Sequence, residues 1–291
     1  MKEIIKNSCI NEFDPNALEE IQAINKIIKS IKPNKSSEKV NIKDALHRTI
    51  SSSVRASINV PSFRNSAMDG YAINLNDLKS NKFKLSEIGV SFAGKPYQLS
   101  LRKGGAVRVM TGALIPKNAD AVIMKEMVSK EGIYINFPKN IKKNQNIRFT
   151  GEDIKKGETV FKQGDELDFS GLSILSSLGI EYVDVFCRPK VSYFSSGDEL
   201  VATGKKLQLG QIYDSNRYLL HGLLKDLPVV FSDLGIVKDK KIHLVNKLQR
   251  ASEKSDIIIT TGGVSVGDAD YIKDALSEVG SVGFWKIAIK P

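Results

Sequence analysis

The chain has 291 residues, of which 41% are hydrophobic and 26% charged, a composition that excludes a disordered or fibrous protein. No apolar run approaches the ~20 residues of a membrane helix. The net charge of +10, from 43 Lys and Arg against 33 Asp and Glu, favours anionic partners. However, the densest basic stretch, 139–148, carries no aromatic side chain on which bases could stack, so neither a nucleic-acid partner nor a membrane partner is expected.

The first residues, MKEIIKNSCINEF, lack the apolar core of a secretion signal. Cys9 and Cys187 lie far apart, which argues against a disulfide framework and for a cytoplasmic setting. Residues 17–32 predict a helix with Leu18, Ile21, Ile24, Ile27, Ile28 and Ile31 on one buried face, ended by Pro33. Residues 34–38 read as a linker, and a short helix is expected to begin near Asn41. From residue 53 to 145, short segments punctuated by Gly and Pro predict a β-rich domain. Residues 146–188 continue in mixed short elements, with strands beginning near 157 and 179. From 189 the texture changes. A strand over 190–196 is followed by a helix over 217–227 and a strand over 229–237. A helix over 240–254, a strand over 256–261, a helix over 270–279 and a final strand over 284–289 complete the series. Alternation at these lengths predicts an α/β domain with a parallel sheet and crossover helices.

The most informative stretch is 256–270, DIIITTGGVSVGDAD. A buried strand runs into Gly262, Gly263, Ser265 and Gly267 and then a helix. Such a turn lets backbone N–H groups approach an anion closely. It lacks the endings of a P-loop or a dinucleotide fingerprint. Asp198, Glu199, Asp214, Asp239, Asp268 and Asp270 fall at strand ends or in the loops that follow. Parallel strands bring such ends to one edge, where ligands bind. Clustered carboxylates there suit Mg²⁺ bridging a phosphate, although any one Asp also suits a helix N-cap. On a strand, Lys286 and Lys290 would share a face, fit for an anion or for guarding a sheet edge. In the middle of the chain, Asp69-Gly70 signals a hairpin turn. The stretches 107–113 and 148–153, taken singly, read as turn chemistry.

Taken together, PSFRNSAMDGYAI (61–73), SFAGKPY (91–97), VRVMTGALIPKNADAVIMKE (107–126), NIRFTGEDI (146–154), SSGDEL (195–200), GQIYDSNR (210–217), TTGGVSVGDADY (260–271) and FWKIAIKP (284–291) resemble the MoeA family of molybdopterin molybdenumtransferases, related to the E domain of gephyrin. The resemblance covers most of the chain. The glycine-serine turn is shared with Mog-type adenylyltransferases, whereas NSAMDGYA and MTGA are specific to the MoeA family. It implies a three-layer Mog-like α/β domain over 189–291, a β-rich domain over 53–145, a discontinuous linker domain over 34–52 and 146–188, and an N-terminal helical region, 1–33, packing on the α/β domain or the linker.

The implied reaction is Mg²⁺-dependent hydrolysis of adenylylated molybdopterin, with molybdate as co-substrate inserted into the dithiolene and AMP released. By motif, Gly262, Gly263, Ser265, Ser196 and Asp214 would hold the substrate, and Asp239 and Asp270 the metal. Glu199 would serve the metal and the phosphoanhydride, and Lys286 and Lys290 would neutralise oxyanions. Asp69, Thr111, Arg148 and Asp153 would come from the partner subunit of a homodimer. A Mog-type adenylyltransferase is the implied partner upstream. Two departures stand out. Phe149 and Thr150 replace the family's further arginines, and the sequence stops at Pro291, where the family continues with Pro-Gly-Lys-Pro and a small β domain. The alternatives are a molybdopterin carrier without full turnover and a Mog-type adenylyltransferase.

Overall fold

The computed structural model describes residues 17–262 and 271–288. Two compact units emerge: Lys39–Val185, and Met1–Glu38 together with Phe186–Pro291. The first helix, α1 (Glu20–Ser30), belongs to the second of these. Its approach is held by main chain: Leu18 N–H donates to Lys286 O at 3.0 Å, and Ala288 N–H to Leu18 O at 2.8 Å. Lys26 Nζ donates to Gly283 O at 2.8 Å. The expected buried face is not what anchors this helix. Ile21, Ile24, Ile27 and Ile28 are exposed, and Ala23 is the buried residue of the helix. Three-four spacing reports an apolar stripe, and the structure shows that the contact inside this unit is made by the small side chain instead.

The unit 39–185 is built on a six-stranded sheet. Two short strands lie beside it in sequence, β1 (Asn65–Ser66) and, later, β8 (Ile147–Arg148). The sheet strands are β2 (Gly70–Ile73), β3 (Lys84–Ser91), β4 (Gly105–Val109), β5 (Ala121–Met124), β6 (Ser129–Glu131) and β7 (Tyr134–Asn136). Their order is β5-β2-β4-β3-β7-β6, antiparallel except for the β3–β4 pair. Two helices, α2 (Leu75–Ser80) and α3 (Phe169–Ser177), belong to the same unit.

Both faces of this sheet are covered, so β2 (GYAI) and β5 (AVIM) read as apolar runs. Tyr71, Ile73, Ala106, Ala121 and Ile123 feed one core, while Ala72, Val107, Val109 and Val122 feed the other, following the period of two along each strand. A third cluster (Ala45, Ile50, Leu167, Leu175, Val183, Val185) joins the passage near 45–50 to that near 167–185. The Asp69-Gly70 pair is not a hairpin turn. Gly70 opens β2, and a Cβ there would lie 2.1 Å from Ile123 O on β5. The glycine is required by close strand approach, not by turn geometry.

The second unit contains β9 (Lys190–Ser196), α4 (Ser215–Lys225), β10 (Val230–Val237), α5 (Lys241–Ser252), β11 (Ile257–Thr261) and α6 (Tyr271–Val279). These three strands are parallel in the order β10-β9-β11. Phe194 packs with Leu244, Val245 and Leu248 of α5 and Ile272 and Ala275 of α6. Val191 and Tyr193 pack on the other face with Leu224 of α4. The result is the three-layer α/β arrangement that the alternation predicts. The chain leaves β9 toward one face and β11 toward the other, which creates a switch point at the carboxyl edge between them. Among the described residues, 284–288 do not form the final strand expected over 284–289. Residues 281–288 make a single bridge, Ile287 with Leu18. The shared-face argument for Lys286 and Lys290 therefore has no strand beneath it, and Lys290 lies outside the described residues.

Candidate functional site

Two groups of predicted site residues form, one in each unit. In the α/β unit, the group assembles where β9, β10 and β11 end. Ser196 closes β9, fully buried, and its hydroxyl donates to Asp239 Oδ1 in the loop after β10. Asp239 is thus not a helix cap; the residue capping α5 is Lys240. Gly197 N–H donates to Val237 O at 3.2 Å. The Glu199 carboxylate folds over Gly197, with both oxygens 2.7 Å from where a Cβ would stand. Gly262 follows β11 at φ +85°, and its own Cβ would fall 2.0 Å from Ser196 O. Only glycine permits the β9 and β11 ends to approach this closely. Thr261 Oγ1 donates to Ser195 Oγ at 2.9 Å and ties the same two strands.

Asp214 caps α4, accepting from Arg217 N–H at 3.2 Å through Oδ1. The residue is 2% exposed, and its Oδ2 has no hydrogen-bond partner among the described residues. The N-cap reading therefore accounts for one oxygen and leaves the other unengaged. Arg217 in turn holds Asp233 through Nε at 2.7 and 2.8 Å. Lys286 is exposed, and its carbonyl binds Leu18. Gly263, Ser265, Asp268 and Asp270 lie outside the described residues.

The second group belongs to the unit 39–185. Its organiser is β1, a strand of two residues that sequence reading passed over. β1 pairs with β8 on one side, Asn65 opposite Arg148 and Ser66 opposite Ile147. On its other side, Ser66 N–H donates to Ala113 O at 3.0 Å, and Gly112 N–H to Ser66 O at 2.8 Å. The motifs 61–73, 107–113 and 146–154 meet here. Thr111 donates to Asp69 Oδ1 twice, from its N–H and from its hydroxyl, each at 2.8 Å. The N–H donor first, then the hydroxyl, hold the Asp69 carboxyl below its usual range, with smaller help from Lys125 and Arg108. Arg148 Nη2 reaches both oxygens of Asp153 at 2.5 and 2.6 Å, and its Nε lies 3.5 Å from Glu152. These charge-assisted bonds raise the guanidinium pKa. Asp69 with Thr111 and Arg148 with Asp153 are two local pairs on either side of β1.

The donor chemistry at the α/β edge is that of a hard oxygen site. Glu199 and Asp239 both rest against the Ser196-Gly197 pair, and Mg²⁺ is commonly held by one or two carboxylates plus substrate phosphate. Among the described residues, no group of three or more His, Cys, Asp or Glu side chains that could hold a metal ion forms. No helix among the described residues is long and apolar enough to cross a membrane.

A three-layer α/β domain with polar side chains and Gly262 at its carboxyl edge belongs to the class of folds that take ligands at that edge. Comparison with known proteins makes this specific. Residues 17–179 match the family description MoeA N-terminal region (domain I and II), and residues 194–291 match Probable molybdopterin binding domain. The molybdopterin molybdenumtransferase of Haemophilus influenzae is 46% identical over 271 residues, covering 93% of this chain and 67% of that protein. The molybdopterin molybdenumtransferase of a Nostoc species is 31% identical, covering 92% of this chain and 62% of that protein. A crystal structure of a molybdopterin biosynthesis MoeA protein from Pyrococcus horikoshii superposes with a TM-score of 0.79 at 32% identity, covering 94% of this chain and 70% of that one. The chain belongs to the MoeA family, a family of transferases, and its role lies in molybdenum cofactor biosynthesis. It spans about two thirds of the length of the relatives it matches.

Proposed function

We propose that the chain acts as a molybdopterin molybdenumtransferase: it binds adenylylated molybdopterin, cleaves the phosphoanhydride, and takes part in inserting molybdate into the dithiolene as AMP leaves. The observation that carries this reading is the carboxyl edge of the α/β unit, where Ser196, Asp239, Glu199 and Gly262 converge. Gly262, with Gly263 and Ser265, lets backbone donors approach the pterin phosphate. Ser196 and the unengaged oxygen of Asp214 orient polar groups of the substrate. Glu199 and Asp239, with Asp270, hold Mg²⁺, which when bound neutralises charge developing on the phosphate oxygens. Lys286 and Lys290 supply further positive charge at oxyanions.

Asp69, Thr111, Arg148 and Asp153 belong to the same reaction in a homodimer, where they complete the site of the neighbouring subunit. Their pairing fits that use: Thr111 keeps Asp69 ionised, and Arg148 fixes the Asp153 carboxylate. The substrate is an adenylylated product, so an adenylyltransferase must supply it, and a cytoplasmic setting follows from that chemistry.

The test is AMP release from adenylylated molybdopterin by this chain with Mg²⁺, with and without molybdate. Molybdate-dependent release that falls about tenfold or more in Glu199→Gln supports the assignment, because removing a carboxylate that holds Mg²⁺ weakens the charge stabilisation the metal supplies. Pterin bound without any AMP release would make the chain a carrier instead. Consumption of ATP to form the adenylylated pterin would make it an adenylyltransferase.

A further inference from the structure

A groove of about 680 Å³ runs along the α/β unit between β10 and α5, from Lys190 to Val237 and Lys238 beside the carboxyl edge. Its floor is mostly apolar: Val230, Ser232 and Leu234 stand at alternate positions of β10 on one face, Ile236 follows the register shift, and Val230 is 53% exposed. Its walls are cationic. Lys190, Lys238, Lys247, Arg250 and Lys254 line it, and no Asp or Glu does.

β10 is also an edge strand. In the order β10-β9-β11, it has a neighbour on one side among the described residues. Val230 N–H donates toward β9, to Pro189 O at 2.9 Å. Backbone groups alternate in direction along a parallel ladder, so the N–H groups of Phe231 and Asp233 face outward. The ladder shifts register near Gly235, at φ +81°, where Lys247 Nζ donates to Leu234 O at 3.1 Å. That contact marks the end of the free edge. An edge guarded only against aggregation would place charge on the strand face itself. Here the strand face carries Val230, Ser232 and Leu234 and no charge, and most of the charge stands on the opposite wall.

We propose that this groove binds an extended acidic segment of a partner protein, which adds a fourth strand to β10. The backbone would pair with the outward groups of 231–233. Acidic side chains at alternate positions would point toward α5 and meet Lys247 and Arg250, with Lys254 just past the helix end. The spacing is compatible: three residues of helix rise about 4.5 Å, alternate strand residues stand about 7 Å apart, and the long cationic side chains span the difference. Apolar residues between the acids would lie on the other face of the sheet. This is strand addition, with main chain supplying affinity and side chains specificity.

The probe is a fluorescein-labelled peptide of alternating Glu and Val, read by anisotropy against the full chain. Saturable binding that weakens with added salt is expected. The variant Lys247→Gln/Arg250→Gln/Lys254→Gln, with its circular dichroism unchanged, should bind about tenfold more weakly, the summed effect of three exposed ion pairs. Two N-methylated peptides give the sharper reading. Methylating one alternate set of amides removes the donors facing β10 and should abolish binding, while methylating the other set should leave it intact. The proposal is overturned if the two methylated peptides bind alike, if the triple variant binds as tightly as the parent, or if no binding saturates. It is equally overturned if single-stranded oligonucleotide or phosphatidylserine vesicles occupy the groove in preference to the peptide. Self-association of the chain that the triple variant abolishes would assign the groove to a second copy and would also refute it.

Discussion

Substituting Gly262 by alanine tests the carboxyl-edge site at its tightest point. The residue holds φ +85°, and an added Cβ would fall 2.0 Å from Ser196 O and 3.1 Å from Ser196 C. Left-handed backbone costs a residue with a side chain about 1–2 kcal/mol. The clash is with main chain, so no rotamer relieves it, and overpacking of this kind adds about 1–3 kcal/mol. The total, about 2–5 kcal/mol, is a large part of the ~5–15 kcal/mol that stabilises an ordinary domain. Gly235→Ala is the control. Its φ is +81°, but nothing stands within 4 Å of its Cβ position, so only the backbone cost of about 1–2 kcal/mol applies. At roughly 4 °C per kcal/mol, thermal unfolding followed by calorimetry should place the Gly262→Ala transition well below that of Gly235→Ala. Below both transitions, AMP release should fall in Gly262→Ala alone, because displacing the Ser196 carbonyl also moves the hydroxyl bound to Asp239. Equal losses in the two variants would refute the argument that strand-end contact requires this glycine.

Thr111→Val keeps the N–H donor to Asp69 but removes the hydroxyl, so the Asp69 carboxyl should titrate part of the way back toward its ordinary value. The stabilisation from this depressed carboxyl is present above the ordinary Asp value and is lost as pH falls through the depressed one. Carbon NMR of the side-chain carboxyl reads the shift, and an unchanged titration would remove the hydroxyl from the account. Leu244 is fully buried against Phe194 and Ile272, so Leu244→Ala should cost about 2–5 kcal/mol in urea unfolding. A cost under about 1 kcal/mol would mean that α5 is not held by that cluster. Arg148→Ala frees Asp153 from its two charge-assisted bonds and should raise KM for the adenylylated pterin about tenfold or more. Unchanged kinetics would take this pair out of substrate binding.

The α/β unit was legible in the sequence because its strands are apolar runs and its helices carry the helical spacing of apolar residues. Strands at 190–196, 230–237 and 257–261, with helices between them, need only alternation and length to be recognised. The covered sheet of the other unit was legible only as texture, since strands such as Gly70–Ile73 are buried on both faces and carry no alternation. α3 was missed because its hydroxyl-rich sequence, FSGLSILSS, has weak propensity; it is capped by Asp168, which accepts from Gly171 N–H at 2.7 Å. Asp69-Gly70 misled for the opposite reason, since a strong local turn signal was overridden by the approach of β5. Within the site, the carboxylates after β9 and β10 could be placed from topology. The union of 61–73, 107–113 and 146–154 could not, because it depends on a two-residue strand whose partners are remote in sequence.

The way α1 is fastened has a consequence for how the chain is made. Leu18 pairs with Lys286 and Ala288, so the segment before the helix meets these partners only after the whole intervening passage has left the ribosome. At about 5–20 residues per second, the wait is roughly 13–54 s. During that interval, the passage 39–185 emerges in full and is free to fold, since its clusters draw only on residues already synthesised. The α/β unit therefore closes after the passage 39–185 has been made, and the segment that begins it must stay available until its counterpart arrives.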